Sequence, residues 1–350
     1  MAKVTIGEVA KAAGVSLGTV SNALNHPDKV KPETLTLVNE AISRLGYVPN
    51  QAARQLAGSE NRMFGLVLPR LDHAFSLQIA SGAQAEARAY GYGLLIANAG
   101  NDDILTNHYM RYFMGAQVAG VLVQPMVGTA WKPPLEMPPV PTVYLDVHGS
   151  GPGNYIAADN VAQGRLMLEH ALSCEARAIA VVGKAQFMQL ALRVQGIEDA
   201  AAGLGVQVER IDRGDWNTAE DGFKIGRALA GRKEGNQPDF VIALTDVLAA
   251  GVIDGLLDAG LSVPGDVLVA GCDGNPLAWG GSVPLTTLSS PGYEIGRRGV
   301  QLLLLPEGEG GNCTRQELIG STLISRASTA AMSGPRTRES IPELNLGEYL

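Results

Sequence analysis

Between Thr5 and Leu45 the apolar positions recur at helical spacing and are punctuated by residues that start and stop helices. Thr5-Ile6-Gly7-Glu8 is a capping box, in which the threonine hydroxyl and glutamate carboxylate satisfy free backbone donors of a first helix running to about Ala13. Gly14 suits its C-terminal cap, and Ser16 caps a second helix through Leu24. Pro32 fits the first position of a third helix that Gly46 ends, with Leu35, Val38, Ile42 and Leu45 on one face. That stripe needs cover, and Val9, Ala10, Val20 and Leu24 provide it. After Pro49, Asn50 to Gly58 reads as one more short helix. Isolated helices below about 12 to 15 residues are marginal in water, so this one should order only against a partner.

Beyond Met63 the pattern changes to short apolar runs alternating with amphipathic stretches, the mark of parallel sheets covered on both faces. Strands are expected near 64–68, 94–97, 120–124, 142–145, 179–182, 206–210, 240–244 and 267–270, and helices over 76–90, 161–172, 193–203, 246–259 and 294–305. So many βα units exceed one comfortable open sheet. Two doubly wound lobes follow, with lobe boundaries near 160 and 290 and ligands taken at the strands' carboxyl ends. The expected organisation is a helical head (1–46), a hinge with a short helix (47–61), a two-lobed body (62–332) and a tail (333–350) whose leucines keep no heptad.

Composition sharpens this. Of 350 residues, 46% are hydrophobic and 18% charged, which suits a globular chain with a substantial core. Net charge is −8, yet residues 1–62 hold seven basic and five acidic side chains, so the body carries the acidity. A weakly basic head on an acidic body fits a polyanion bound by the head. Cys174, Cys272 and Cys313 are an odd number without a CxxC pair, which argues against disulfides and structural zinc. No basic flank leads into a long apolar run, so a cytoplasmic protein without membrane span is expected. The five histidines are scattered, no GxxxxGK or GxGxxG occurs, and the GxSxG match at Gly14 to Gly18 joins two expected helices instead of following a strand as a nucleophile elbow requires. Neither catalysis, a metal nor a cofactor is expected.

Helix, glycine turn and helix, closed by a third helix, is the plan that lays a second helix in the DNA major groove. Leu17, Gly18, Thr19, Ser21 and Asn22 then face outward. Thr19, Ser21 and Asn25 are short donors for phosphate oxygens, while Asn22 matches both hydrogen-bonding groups of an adenine edge. On period and caps alone, a small protein-binding helical module fits equally.

The run Val4 to Asn25 closely resembles the DNA-binding head of LacI-family bacterial transcriptional regulators, as do Leu45 to Asn50 and Ala53 to Gly58. Gly65 to Pro69, Ala119 to Leu122, Asp159-Asn160, Thr245-Asp246, Gly271 to Gly274, Leu285 to Leu288 and Ser325 to Thr329 extend the resemblance to about residue 330. It implies a homodimeric repressor of a palindromic operator, with Thr5, Ser16, Leu17, Gly18, Thr19, Ser21, Asn22 and Asn25 at the DNA. In the hinge it implies Leu56 as a minor-groove wedge, with Asn50, Ala53 and Arg54 beside it. Many members carry arginine where Asn22 stands, and that exchange changes the favoured base from guanine to adenine.

The resemblance also implies a body similar to periplasmic sugar-binding proteins, whose closure on a small effector is coupled to the hinge. The candidates at strand ends are Phe75, Asp146, Arg193, Trp216, Thr245, Asp246 and Asp273. Charged planar groups hold adjacent hydroxyls and aromatic faces cover a ring, so a sugar or sugar derivative is expected, with a nucleobase or nucleoside as the alternative. A plain solute-binding protein would not need the head. Plainer roles stand beside several candidates: Asp246 as a helix cap, Trp216 as core, and Arg193 paired with Glu198 or Asp199 along one helix. Asp273 has little capping work in sight and is the favoured ligand. Thr245 stands where relatives often carry asparagine, which loses a donor.

Overall fold

In a computed structural model the chain forms two compact units, an N-terminal head and a body. The structure describes residues 4–48, 61–71, 73–125, 140–149, 151, 153–212, 217–233, 235–275, 278, 280–305 and 314–330.

The head holds α1 (Ile6–Ala13), α2 (Leu17–Asn25), a single 3-10 turn at Pro27–Lys29 and α3 (Pro32–Leu45). Its punctuation is as the sequence predicts. The Thr5–Glu8 capping box closes in both directions, Ser16 caps α2, Pro32 opens α3, and Gly14 and Gly46 end α1 and α3 in the left-handed region. Val9, Ala10, Val20, Ala23, Val38 and Ala41 form the buried centre, with Leu24, Leu35, Ile42 and Leu45 packed around it. Ala10 is expected there, and the structure adds Ala23 and Ala41 to the buried centre.

The body contains two parallel sheets. Lobe 1 has strand order β2-β1-β3-β4-β5-β11, built from β1 (Met63–Leu68), β2 (Gly93–Asn98), β3 (Gly120–Val123), β4 (Thr142–Leu145), β5 (Gly153–Ala158) and β11 (Thr314–Ile319). Its helices are α4 (Ala74–Ala89), α5 (Asp103–Gly115) and α10 (Gly292–Leu303). Lobe 2 has order β7-β6-β8-β9, from β6 (Ile179–Val182), β7 (Val208–Ile211), β8 (Phe240–Ala243) and β9 (Leu268–Ala270). Around it stand α6 (Asn160–Ser173), α7 (Met188–Leu204), α8 (Ala219–Ala230) and α9 (Asp246–Asp258). All eight expected strands are present, those near 206–210 and 267–270 displaced by one or two residues. The addition is β5 and β11, aligned from Gly153↔Thr314 to Ala158↔Ile319. A small antiparallel pair, β10 (Thr287–Leu288) with β12 (Leu323–Ile324), joins them.

The chain crosses between lobes three times: from β5 into α6 at 158–160, from β10 into α10 at 288–292, and from β11 into β12 at 319–323. Within each lobe the helices meet through paired glycines. A Cβ on Gly164 would stand 2.0 Å from the Arg193 carbonyl oxygen, and one on Gly196 the same 2.0 Å from that of Val161, so α6 and α7 touch backbone to backbone. Gly222 and Gly251 join α8 to α9 in this way, and Gly82 and Gly296 join α4 to α10. Such contact leaves the helices of one lobe little freedom to slide.

Candidate functional site

In the head, Leu17, Gly18 and Asn22 are exposed on the first turns of α2, and Leu17 is 55% exposed despite being apolar. Ser16 and Thr19 are engaged with each other: the Ser16 hydroxyl accepts from Thr19 N at 3.1 Å and lies 2.8 Å from its Oγ1. The Thr5 hydroxyl donates to Glu8 at 3.0 Å at the start of α1, and Asn25 donates to Ser21 Oγ at 3.4 Å along the last turn of α2, so these side chains also hold their own helices. Among the α2 candidates, Asn22 is the exposed side chain able to read both groups of a base edge. Asn50, Ala53, Arg54 and Leu56 lie outside the described residues, as does Trp216.

In the body, the carboxyl ends of β3 and β4 in lobe 1 and of β6, β8 and β9 in lobe 2 converge on one polar cluster. Its centre is Arg193 on α7, 6% exposed. The guanidinium donates from Nη1 to the Leu244 carbonyl at 2.5 Å and to Asp273 Oδ1 at 3.3 Å. From Nη2 it donates to Gln163 Oε1 at 2.9 Å and Asn160 Oδ1 at 3.3 Å. Arg193 therefore does not pair along its helix with Glu198 or Asp199; Glu198 faces Arg210 instead, at 3.9 Å. A cation this deep is tolerable because every side of the fork has an acceptor.

The two aspartates of lobe 2 exchange roles relative to expectation. Thr245, not Asp246, is the N-cap of α9, its hydroxyl accepting from Leu248 N at 3.3 Å. Asp246, 3% exposed, reaches back across the strand ends. Its carboxylate accepts from Asp273 N at 3.0 Å, Asn275 N at 2.7 Å and the Thr287 hydroxyl at 2.6 Å, which makes it a clamp on the loop after β9. Burial first, then the Asp273 charge, pushes its carboxyl up to about 6. Asp273, expected to have little capping work, in fact accepts from Asp246 N at 3.0 Å while holding Arg193 with its other oxygen. It stays half-buried and meets the cleft.

Lobe 1 supplies Asp146, placed after β4 with φ +58°, a left-handed conformation that asparagine and aspartate tolerate better than most residues. Gln189 of α7 in lobe 2 donates to its carbonyl at 2.8 Å and to Oδ2 at 3.1 Å, so the cleft is spanned by a direct interlobe contact. Gln124, at the end of β3, also bonds the carboxylate and in turn accepts from Ser76 Oγ at 2.8 Å. Desolvation dominates these partners and pushes the Asp146 carboxyl up to about 7. Phe75 is half-buried near the start of α4, one residue before Ser76. His148, close to Asn160 at 3.5 Å, is held below the usual histidine range by burial.

Gln124, Asn160, Gln163 and Gln189 were not singled out from sequence. Amides at helix starts and strand ends are too common to mark a site, and only the lobe pairing brings these four to one arginine and one aspartate. A concavity of about 490 Å³ elsewhere, on the outer edge of lobe 2 between β7 and α8, is away from this convergence of strand ends. Of the cations lining it, Lys224 pairs with Glu220 at 2.6 Å and Arg232 with Glu209 at 2.7 Å, while Arg210 donates to the Gly183 carbonyl at 3.3 Å, stands 3.9 Å from Glu198 and has no partner for its Nη1. Among the described residues no group of histidine, cysteine and carboxylate side chains is arranged to hold a metal ion. None of the described helices is long and apolar enough to cross a membrane.

Known proteins match the chain in both units. Residues 5–50 match the model of bacterial regulatory proteins, lacI family, and residues 168–329 that of a periplasmic binding protein-like domain. The ribose operon repressor of Bacillus subtilis (strain 168) is 31% identical over 306 residues, 86% of this chain and 90% of that protein. Catabolite control protein A of Staphylococcus xylosus is 29% identical over 308 residues, 86% of this chain and 91% of that protein. Among solved structures, the lac repressor dimer bound to operator and the anti-inducer ONPF superposes with a TM-score of 0.79 at 26% identity, covering 94% of this chain and 100% of that one. The transcriptional regulator CelR–cellobiose complex gives 0.64 at 25% identity, covering 93% and 100%. A capped helix-turn-helix head, a two-lobed parallel-sheet body and likeness to repressors over most of the length together show that this chain belongs to the lacI family of DNA-binding bacterial transcriptional regulators.

Proposed function

We propose that the chain is a repressor that binds a palindromic operator as a homodimer and is controlled by a sugar or sugar derivative taken between its lobes. It carries out no catalytic step and acts in the cytoplasm. The observation that carries the effector half is the cluster in which Arg193 and Asp273 from lobe 2 face Asp146 from lobe 1. A guanidinium fork and carboxylates supply donors and acceptors at the spacing of neighbouring hydroxyls. The operon regulated by one relative and the cellobiose bound by a structural neighbour point to the same ligand class. For the head, the proposal assigns base reading to Asn22, phosphate contacts to Thr19, Ser21 and Asn25, and minor-groove insertion to Leu56 with Arg54 beside it.

The test is thermal unfolding of the full chain against a panel of sugars, sugar phosphates, nucleosides and nucleobases. A ligand at 100 times its dissociation constant adds about 2.7 kcal/mol. A shift with one sugar class, lost in Arg193→Met and in Asp273→Ala, is the expected result. A shift with purines or nucleosides alone would replace the sugar reading.

A further inference from the structure

We propose that Gln163 and Ser321 form a relay through which the state of Arg193 sets the angle between the lobes. The proposal rests on the reading of the Arg193 cluster as the effector site and names the path by which that site is read at the hinge.

Gln163 lies on α6 and is 3% exposed. Its Oε1 accepts from Arg193 at 2.9 Å (Nη2) and 3.3 Å (Nε), and its Nε2 donates to Ser321 Oγ at 2.8 Å. The amide orientation is not arbitrary, because guanidinium only donates and must face the oxygen, which turns the NH2 to the serine. Ser321 sits in the third interlobe crossing. That crossing is bonded to the second: Thr322 N donates to Ser289 Oγ at 2.8 Å, and Ser289 N donates to the Thr322 carbonyl at 2.7 Å. The first crossing meets the same guanidinium through Asn160, 1% exposed, whose Oδ1 accepts from Nη2 and whose Nδ2 donates to the Ala158 carbonyl at 3.0 Å. One buried cation is thus wired to all three connections between the lobes.

The chemistry makes this a switch point rather than passive packing. The close approach of Gly164 and Gly196 fixes the backbones of α6 and α7 against each other, so Gln163 and Arg193 cannot separate by helix movement. When Arg193 swings toward a bound hydroxyl, its Nη2 and Nε bonds to the buried Oε1 of Gln163 are drawn off together, and a buried acceptor left without a donor is costly. The amide reorients to recover one, and the Ser321 contact goes with it. The hinge then feels the ligand without touching it.

The experiment needs no effector and is therefore independent of the ligand panel. Spin labels on non-natural residues replacing exposed Gln84 (lobe 1) and Ala228 (lobe 2) report the interlobe distance in the full-length protein, in a double-mutant cycle of Ser321→Ala and Arg193→Lys. Each single change should shift the ratio of lobe states about two- to tenfold, the worth of one net hydrogen bond. The double variant should go no further than the larger single effect, and Ser321→Thr, which keeps the hydroxyl, should restore the wild-type distribution. A Ser321→Ala distribution equal to wild type, or effects that simply add, would overturn the relay. Failure of every ligand in the panel would instead overturn the effector reading while leaving the cycle's outcome standing.

Discussion

Asp146→Asn should remove a pH dependence from the body, and its size follows from the cleft. The wild-type carboxyl is pushed from 3.8 up to about 7, with desolvation the largest cause. A carboxyl whose folded pKa is raised holds its proton more tightly in the folded state. Below about pH 4 both states are protonated and there is no penalty. As pH rises toward 7 the unfolded state ionises first, and stability falls until the folded carboxyl ionises too. About three pKa units correspond to about 4 kcal/mol. Because the side chain is half-buried and meets cleft water, the realised loss should fall between about 2 and 4 kcal/mol. Asparagine keeps the oxygen that Gln189 bonds and accepts the left-handed backbone; its NH2 replaces the oxygen that Gln124 bonds, a loss that is the same at every pH and offsets the profile without changing its slope. Urea unfolding from pH 4 to 8, with wild type and variant compared at each pH, is the assay. The variant should gain on wild type steadily across that range and level off above about pH 7. Asp246, pushed up to about 6, contributes to both profiles and cancels in their difference. Parallel profiles over the whole range would refute the buried-carboxyl argument.

Other outcomes are open to direct measurement. Gly196→Ala places a methyl 2.0 Å from the Val161 carbonyl oxygen and should cost at least about 1 to 3 kcal/mol, read as a lowered melting temperature of the body; Gly203→Ala, with no atom within 4 Å, should not. Val38→Ala empties part of the head's fully buried centre and should cost about 2 kcal/mol, a large share for so small a unit. Operator binding should then weaken at temperatures where the body's own unfolding transition is unmoved. Selection from random DNA should return adenine at the position read by Asn22, and Asn22→Arg should turn the preference to guanine. Guanine returned with wild type, with Asn22→Ala indistinguishable from it, would dismiss the base-reading role.

The head was legible almost residue by residue because its signals are local: a capping box, two glycine caps and a proline within about 45 residues settle three helices. In the body the central strands announced themselves as unbroken apolar runs such as Phe240–Ala243. β11 did not. Thr314-Arg-Gln-Glu-Leu-Ile is a polar edge strand, and its identity comes from pairing with β5 about 160 residues away, which no local pattern contains. The site divides the same way. Asp146, Arg193 and Asp273 could be nominated because charged residues after strands are conspicuous. Their partners could not, since Arg193 chooses Gln163, Asn160 and Asp273 over carboxylates on its own helix only when lobe 2 is assembled. The exchange of duties between Asp246 and Asp273 has the same origin, for the clamp joins the ends of β8 and β9 across 27 positions of sequence.

The glycine seams bear on how such a protein can change its specificity. Each seam is reciprocal, so neither partner can be enlarged unless the opposite helix retreats, and that retreat would lift side chains off the sheet face that the pair covers. Heritable variation is thereby steered away from the helices and into the turns that follow the strands. Asp146 and Asp273, two of the residues proposed to meet an effector, stand in those turns. Under the proposed effector reading, a lineage of such proteins can exchange one small molecule for another by editing a handful of turn positions, while the helical frame around them is inherited unaltered.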